Sequence, residues 1–556
     1  MLPNIMKSSV RNFFRVLVLF QCLVFCVSRF WGISETATYI DELITISGGA
    51  ASVFPSPFVR ADSAWSYAKQ LMGHNKSSYA PLQGFLVALF NSHDVFTWNS
   101  LILARWLSAL AILSGLILLN LTILKVVRKK MLAWLAISLT TSLMLGSEML
   151  FINSQQATPY ALGFMTSCLA ILGGVQFLQA DNLIGYLTTW VLFCFLPFAN
   201  YQSIVAGVAL SFSAWATKMV SLSQAETENK KRIHMFFSCL ILVLIAAAYT
   251  PWVIWLTKSK SDMITPWWLQ DFVRPTGVSP FQLLQALLIT CKNSFLALLS
   301  NQLPRLFLKT IVFFGLIFSA AIGLIRLLSI KLVAPTGKNF WTDHIAMVCL
   351  GLGCLFCFLI EVLLWVKYTG SALAPSRHSL FLLPFLSLGL VFTSLGLVKI
   401  CTKAHPMAQG VCLVILFSLS TAYSITSVQN LSRFSSLKKE AWDFGFLSTL
   451  NTLSNPTRVV MPLNDSSKFF LLLKKQGLLE RFKVLAIKSY EEFPQGDFIF
   501  ITQFLDPHTD LLPPAHKLPY KLIKSVSTGF DYEPSSLIKY WPNDFYVWRV
   551  SEKGNL

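Results

Sequence analysis

The chain has 556 residues, 54% hydrophobic and only 13% charged, with a mean hydropathy of +0.59. Soluble globular domains carry about 25% charged residues, so a single large soluble enzyme is excluded. Lys and Arg number 45 against 26 Asp and Glu, a net charge of +19. That excess sits mostly in short loops between apolar runs, which is positive-inside topology rather than a nucleic-acid surface.

Apolar runs near the length needed to cross a bilayer predict eleven spans. They lie near 13–33, 102–124, 132–150, 160–179, 183–199, 202–217, 235–256, 307–328, 344–366, 379–398 and 407–427. The first reads as an uncleaved anchor: basic residues precede it and no clean small-x-small site follows it. Arg15 and Arg29 bracket its short apolar centre, so both are expected to reach for the interfaces. The fifth and sixth spans adjoin at Pro197-Phe198-Ala199-Asn200, as one broken pair or a tight hairpin.

Basic residues set the orientation. Lys7, Arg11 and Arg15 precede the first span, and Lys125, Arg128, Lys129 and Lys130 follow the second. Lys218 and Lys230 to Arg232 follow the sixth, Arg326, Lys331 and Lys338 the eighth, and Lys399 and Lys403 the tenth. All lie on one side if the N-terminus is cytoplasmic. An odd number of spans then places the C-terminal region outside.

The expected fold is an all-α polytopic transmembrane bundle of about eleven spans with a small C-terminal extracytoplasmic α/β domain. Residues 1–430 form the membrane domain, with large outer loops at 34–101 and 257–306, and 431–556 form the soluble domain. The division follows charge: the first 430 residues hold 13 acids and 29 bases, the last 126 hold 13 acids and 16 bases. In the tail, 458–462, 482–487 and 498–502 read as strands, 466–476 as a helix, and 546–550 as a closing strand. Helix-like pieces also lie at 61–71 and 281–299 in the outer loops.

Chemistry is sparse. Ten of the eleven cysteines lie within or at the edges of spans, and Cys354-x-x-Cys357, which matches a redox or zinc spacing, reads better as packing inside an apolar run. With none in the first loop or the tail, a disulfide framework is not expected. No Walker sequence follows a strand, so direct ATP use is not expected. No cofactor is expected, and a divalent metal finds no support in the sequence: His74 and His93 share the first loop, but nothing fixes their geometry. The informative feature is Asp41-Glu42, just outside the first span. Two adjacent carboxylates leaving a membrane are costly unless solvated or used. They read either as a polar helix start, with Asp41 capping and Glu42 solvated, or as a reactive pair.

Further motifs follow in order. Ser78-Tyr79-Ala80-Pro81-Leu82 precedes the second span, Ser154-Gln155-Gln156-Ala157-Thr158-Pro159-Tyr160-Ala161-Leu162 opens the fourth, and Ser376-Arg377-His378 with Pro384 opens the tenth. Together with the loop acids, this resembles the polytopic GT-C glycosyltransferases, which include the protein O-mannosyltransferases and the lipid A aminoarabinose transferases. The resemblance covers roughly residues 10–400. It departs at Gln156 and Thr158, which replace the family's usual acid and arginine, and at His378, which replaces its tyrosine.

The resemblance implies transfer of a sugar from a polyprenyl-phosphate donor to a lipid, glycan or protein acceptor, with inversion. Asp41 would be the general base, oriented by Glu42, and Arg377, with Lys367 as a second cation, would hold the donor phosphate. Arg377 also reads as an interface anchor. Glu148, Tyr160, Arg60 and His378 complete the candidate cavity; Glu148 reads equally as a solvated helix end and Tyr160 as packing. The implied setting is a multi-pass cell (inner) membrane protein, N-terminus cytoplasmic and C-terminal domain periplasmic, with no nucleic-acid partner. The alternatives are a transporter or flippase, or a polysaccharide polymerase or ligase of the cell envelope.

Overall fold

The structure, a computed structural model, describes residues 4–31, 33, 81–90, 97–127, 130–225, 228–260, 278–298, 341–367, 377–404 and most of 411–425. In the tail it describes 458–462, 471, 475, 477, 481–487, 494–502, 520–527 and 544–550. The helices are α1 (Asn4–Phe30), α2 (Pro81–Phe90), α3 (Trp98–Val126), α4 (Lys130–Gly146), α5 (Glu148–Gln155), α6 (Tyr160–Gln179) and α7 (Leu183–Ala199). They continue as α8 (Ser203–Ala225), α9 (Glu228–Lys260), α10 (Pro280–Leu298), α11 (Trp341–Lys367), a 3-10 turn (Arg377–Leu382), α12 (Leu383–Ala404) and α13 (Leu413–Ala422). Two compact units result. The first is Met1–Phe30, Ala109–Ser154 and Pro159–Asn430; the second is Trp31–Ser108, Gln155–Thr158 and Leu431–Leu556.

Among the described residues, five helices are long and apolar enough to cross a membrane: α1, α3, α6, α8 and α9. The bent pair α4–α5 would make a sixth, and shorter apolar stretches lie in α7, α11, α12 and α13. This is a membrane protein built mostly of helices. The expected span at 307–328 lies outside the described residues.

α1 illustrates why such helices need lipid. Phe14, Val18, Gln21, Phe25, Ser28 and Arg29 form its buried face, while Val16, Leu19, Phe20, Leu23 and Val27 are exposed. Both faces are largely apolar, so the outer one is stable only against hydrocarbon. The third expected span stops early, at Gly146. Ser147 caps the next helix, its Oγ accepting from the Leu150 amide at 3.2 Å, and the two helices meet at 70°. The fifth and sixth spans are a tight hairpin: the Asn200 side chain accepts from the Gln202 amide at 2.8 Å and Ser203 Oγ donates to the Leu196 carbonyl at 2.8 Å.

In the first unit α8 lies against α6 and α11, and α1 against α4. Hydroxyls and one amide hold the latter pair to the α13 segment: Gln21 Nε2 donates to Ser142 Oγ at 2.8 Å and Ser424 Oγ at 3.0 Å, and Ser142 and Ser420 share a bond of 2.7 Å. Such bonds replace the hydrophobic drive that apolar surroundings cannot supply. At the end of α6, Lys218 Nζ donates to the Phe177 carbonyl at 3.1 Å and to that of Ala180, satisfying the helix C-terminus. Close approach depends on glycine at Gly207, where an added Cβ would run into the Tyr249 hydroxyl, itself donating to the Phe193 carbonyl at 2.9 Å. Gly207→Ala is therefore expected to lose about 1–3 kcal/mol, read as a lower unfolding temperature in detergent. Gly351→Ala, with nothing within 4 Å of the added carbon, should hold or gain stability. Equal losses at both positions would contradict this packing.

The second unit carries a five-stranded sheet of β1 (Arg458–Pro462), β2 (Lys483–Ile487), β3 (Phe498–Thr502), β4 (Tyr520–Ser527) and β5 (Asp544–Val550). The order is β2-β1-β3-β5-β4, with β1 parallel to β2 and β3, and β5 antiparallel to β3 and β4. Val459, Val460 and Met461 of β1 and Phe498, Ile499 and Phe500 of β3 are all buried. Continuous apolar runs of this kind mark strands covered on both faces. In the expected helix at 466–476, Leu471 and Lys475 are described and helical, and Lys475 Nζ stands 3.6 Å over the Trp98 ring. α2 is an addition to the expected loop. Pro81 opens it, and Gln83 Nε2 ties it to α3 through the Ala104 carbonyl and Ser108 Oγ, both at 3.0 Å.

Candidate functional site

Within the first unit, side chains at helix ends bond the main chain of neighbouring helix ends. The Arg29 Nη2 of α1 donates to the Met144 carbonyl at the end of α4, at 3.1 Å. Asn200 Nδ2, in the α7–α8 turn, donates to the Pro159 carbonyl just ahead of α6, at 3.0 Å. α11 runs antiparallel to α8, since Ser213 Oγ donates to the Cys349 carbonyl at 2.5 Å while Gly353 faces Leu210. That direction carries buried Glu361 and then Lys367 towards the α8 start. The 3-10 turn that begins with Arg377 and His378 packs on α6 and α12.

Expected site residues are distributed as follows. Asp41, Glu42 and Arg60 lie outside the described residues, as do His74 and His93. Glu148 is the first residue of α5, Lys367 the last of α11, and Arg377 and His378 the first two of the 3-10 turn; their backbones are described, their side chains are not. Tyr160 is buried at the first position of α6. Tyr201, in the α7–α8 turn, has its ring centroid 5.6 Å from that of Trp252. Burial raises its pKa, so it stays a neutral phenol at physiological pH.

Arg29 corrects the sequence reading. It does not reach an interface: the residue is 1% exposed, and its guanidinium lies 4.8 Å from the Phe25 ring centroid and 4.9 Å from that of Phe151. Phe25 is one turn back on the same helix, and Phe151 belongs to the short helix created by the break after Gly146. A straight third span would not have supplied that ring or left the Met144 carbonyl available. The Gly146-Ser147-Glu148 sequence, a helix stop followed by an N-cap, is the signal that could have revealed the break.

Within the second unit, the chain leaving α1 is pinned twice. Gln155 Nε2 donates to the Trp31 carbonyl at 3.3 Å, and Arg105 Nη1 to the Ile33 carbonyl at 3.1 Å. Gln155, Gln156, Ala157 and Thr158 are all buried. The segment singled out between the third and fourth spans thus holds the main chain just after α1, at Trp31. Gln156 and Thr158, where the sequence departs from the family pattern, are buried beside this donor.

Neither a family model nor a curated relative matches the sequence. Solved structures similar to this chain include two glycosylation proteins. The apo crystal structure of ArnT from Cupriavidus metallidurans aligns over 95% of this chain and 97% of its own, at 10% identity and a TM-score of 0.49. An oligosaccharyltransferase from Archaeoglobus fulgidus, crystallised with zinc and sulfate, aligns over 87% of this chain and 67% of its own, at 10% identity and a TM-score of 0.41. No residue role follows from likenesses at this level.

Proposed function

We propose that this chain is an integral membrane glycosyltransferase that moves a sugar from a polyprenyl-phosphate donor to an extracytoplasmic acceptor. The observation that carries the reading is the order of the motifs along the chain: an acid pair after the first span, the Ser154–Leu162 segment, then Ser376-Arg377-His378. Two structural features agree with it. The backbone positions of Glu148, Tyr160, Lys367 and Arg377 belong to helix ends of one unit, and Gln155 and Arg105 secure the chain on its way to the acid pair.

In the proposed reaction, Asp41 takes the acceptor hydroxyl proton as that oxygen attacks the anomeric carbon. The bond from that carbon to the phosphate oxygen breaks, and the departing phosphate needs cationic stabilisation rather than a proton. Arg377, with Lys367, fills that role, and Glu42 orients Asp41. Single displacement inverts the anomeric carbon. The proposed orientation has the N-terminus in the cytoplasm and residues 431–556 outside the cell (inner) membrane. Lys475 over Trp98 supports it, because it holds the tail at the same end of α3 as the outer loop.

A transporter or flippase is the second reading, favoured by the 70° break between α4 and α5, since discontinuous helices build transport sites. Lipid extracts of cells lacking the protein distinguish the two. The transferase reading expects a polyprenyl-phosphate sugar to accumulate. An unchanged lipid-linked pool with a lost solute or lipid gradient would favour the transporter.

A further inference from the structure

We propose that Arg29 is a phosphate-binding group whose ligand is the phosphate of an isoprenoid lipid. The two phenyl rings, of Phe25 and Phe151, satisfy the faces of the guanidinium plane. They do nothing for its edge, where five N–H donors lie in a fixed fork. Nη2 has the Met144 carbonyl, but Nε is buried without a hydrogen-bond partner, and among the described residues no carboxylate pairs with this side chain. A buried guanidinium with donors left over is poorly compensated by one carbonyl. An anion with several oxygens, presented in plane, completes it better than any single acceptor.

The ligand's class follows from the surroundings. Arg29 lies on the buried face of α1, whose opposite face carries Leu23 at 62% and Val27 at 51% exposure. Among the described residues, the groups set against the guanidinium are two aromatic rings and a main-chain carbonyl. An anion that settles there must bring an apolar body along the bundle, and a lipid phosphate does so where a free phosphate does not. The choice of an isoprenoid lipid rests on the transferase reading above; the choice of a phosphate does not. The simpler role is structural: Arg29 capping α4, or pairing with Glu148, which begins the helix that carries Phe151.

Binding to the full-length protein in phosphatidylcholine nanodiscs separates these roles. The probes are decaprenyl phosphate, the neutral alcohol decaprenol and inorganic phosphate. Wild type is expected to prefer the lipid phosphate over the alcohol by about 10- to 100-fold, the range of a charge-assisted contact. Arg29→Met, which keeps an apolar body between the rings, should abolish most of that preference. Arg29→Lys should keep only part, because an ammonium cannot fork; it carries the test should the methionine variant not fold. Undiminished preference in either folded variant overturns the proposal. So does equal thermal destabilisation by Arg29→Met and Glu148→Gln with the preference unchanged, which identifies an internal ion pair. Competition by inorganic phosphate as effective as the lipid's overturns the lipid assignment. Sugar transfer is not the readout, so failure here leaves the transferase reading standing, and failure of that reading leaves this measurement intact.

Discussion

Asp41→Asn is expected to abolish sugar transfer while the protein still inserts and accumulates. The substitution keeps the size and much of the hydrogen bonding of the side chain but removes its basic oxygen. Loss of a general base typically lowers a rate by on the order of 100- to 10,000-fold. Transfer is measured from a polyprenyl-phosphate sugar by purified protein in nanodiscs, with detergent-extracted protein levels as the control. Glu42→Gln should be milder, because its proposed task is to orient Asp41 rather than to move a proton. Wild-type rates from a well-expressed Asp41→Asn protein would remove Asp41 from the mechanism and leave the acid pair as a solvated helix start.

Arg377→Ala is expected to weaken donor binding and to slow transfer beyond the binding loss. A charge-assisted hydrogen bond contributes about 1.5–3 kcal/mol, or one to two powers of ten in affinity. The contact should strengthen as the phosphate leaves, so part of the effect falls on the rate at saturating donor. Arg377→Lys should recover part of both, keeping the charge without the fork. Donor affinity and rate both at wild-type values in Arg377→Ala would make Arg377 an interface anchor. The cationic role would then pass to Lys367 or to an arginine of the first loop such as Arg60.

Periodicity and length carry much of the fold. The expected limits of the fourth and fifth spans coincide with α6 and α7, and those of two strands with β1 and β3. These elements are bounded by strong local signals: Pro159 stands before α6, and Asn182 caps α7 by accepting from the Gly185 amide at 2.8 Å. β4 escaped detection because an irregularity between Leu522 and Lys524 shifts its register against β5. A one-residue shift breaks the alternation by which a strand is recognised. α5 escaped because continuous hydropathy from 132 to 150 hides a stop and an N-cap that occupy adjacent positions.

The site was legible in a different way. Motif order named Asp41, Glu42, Arg377 and Tyr160, but could say nothing of what holds their segments in place. Gln155 and Arg105 act on main-chain carbonyls, at Trp31 and Ile33. Backbone acceptors carry no residue signature, so such partners cannot be read from a sequence. Arg29 was misplaced for a related reason. A lone arginine near a span end ordinarily reaches for the interface, and only the break after Gly146 reveals the ring and the carbonyl that receive it.

The central claim is that Asp41 serves transfer from a lipid-linked sugar. It is tested most directly by lipid analysis of cells lacking the protein, complemented with wild type or with Asp41→Asn. The account predicts that a polyprenyl-phosphate sugar accumulates without the protein, that wild type clears it, and that an equally abundant Asp41→Asn protein does not. Clearance by Asp41→Asn at the wild-type level, or no accumulated lipid-linked sugar in the first place, would contradict it.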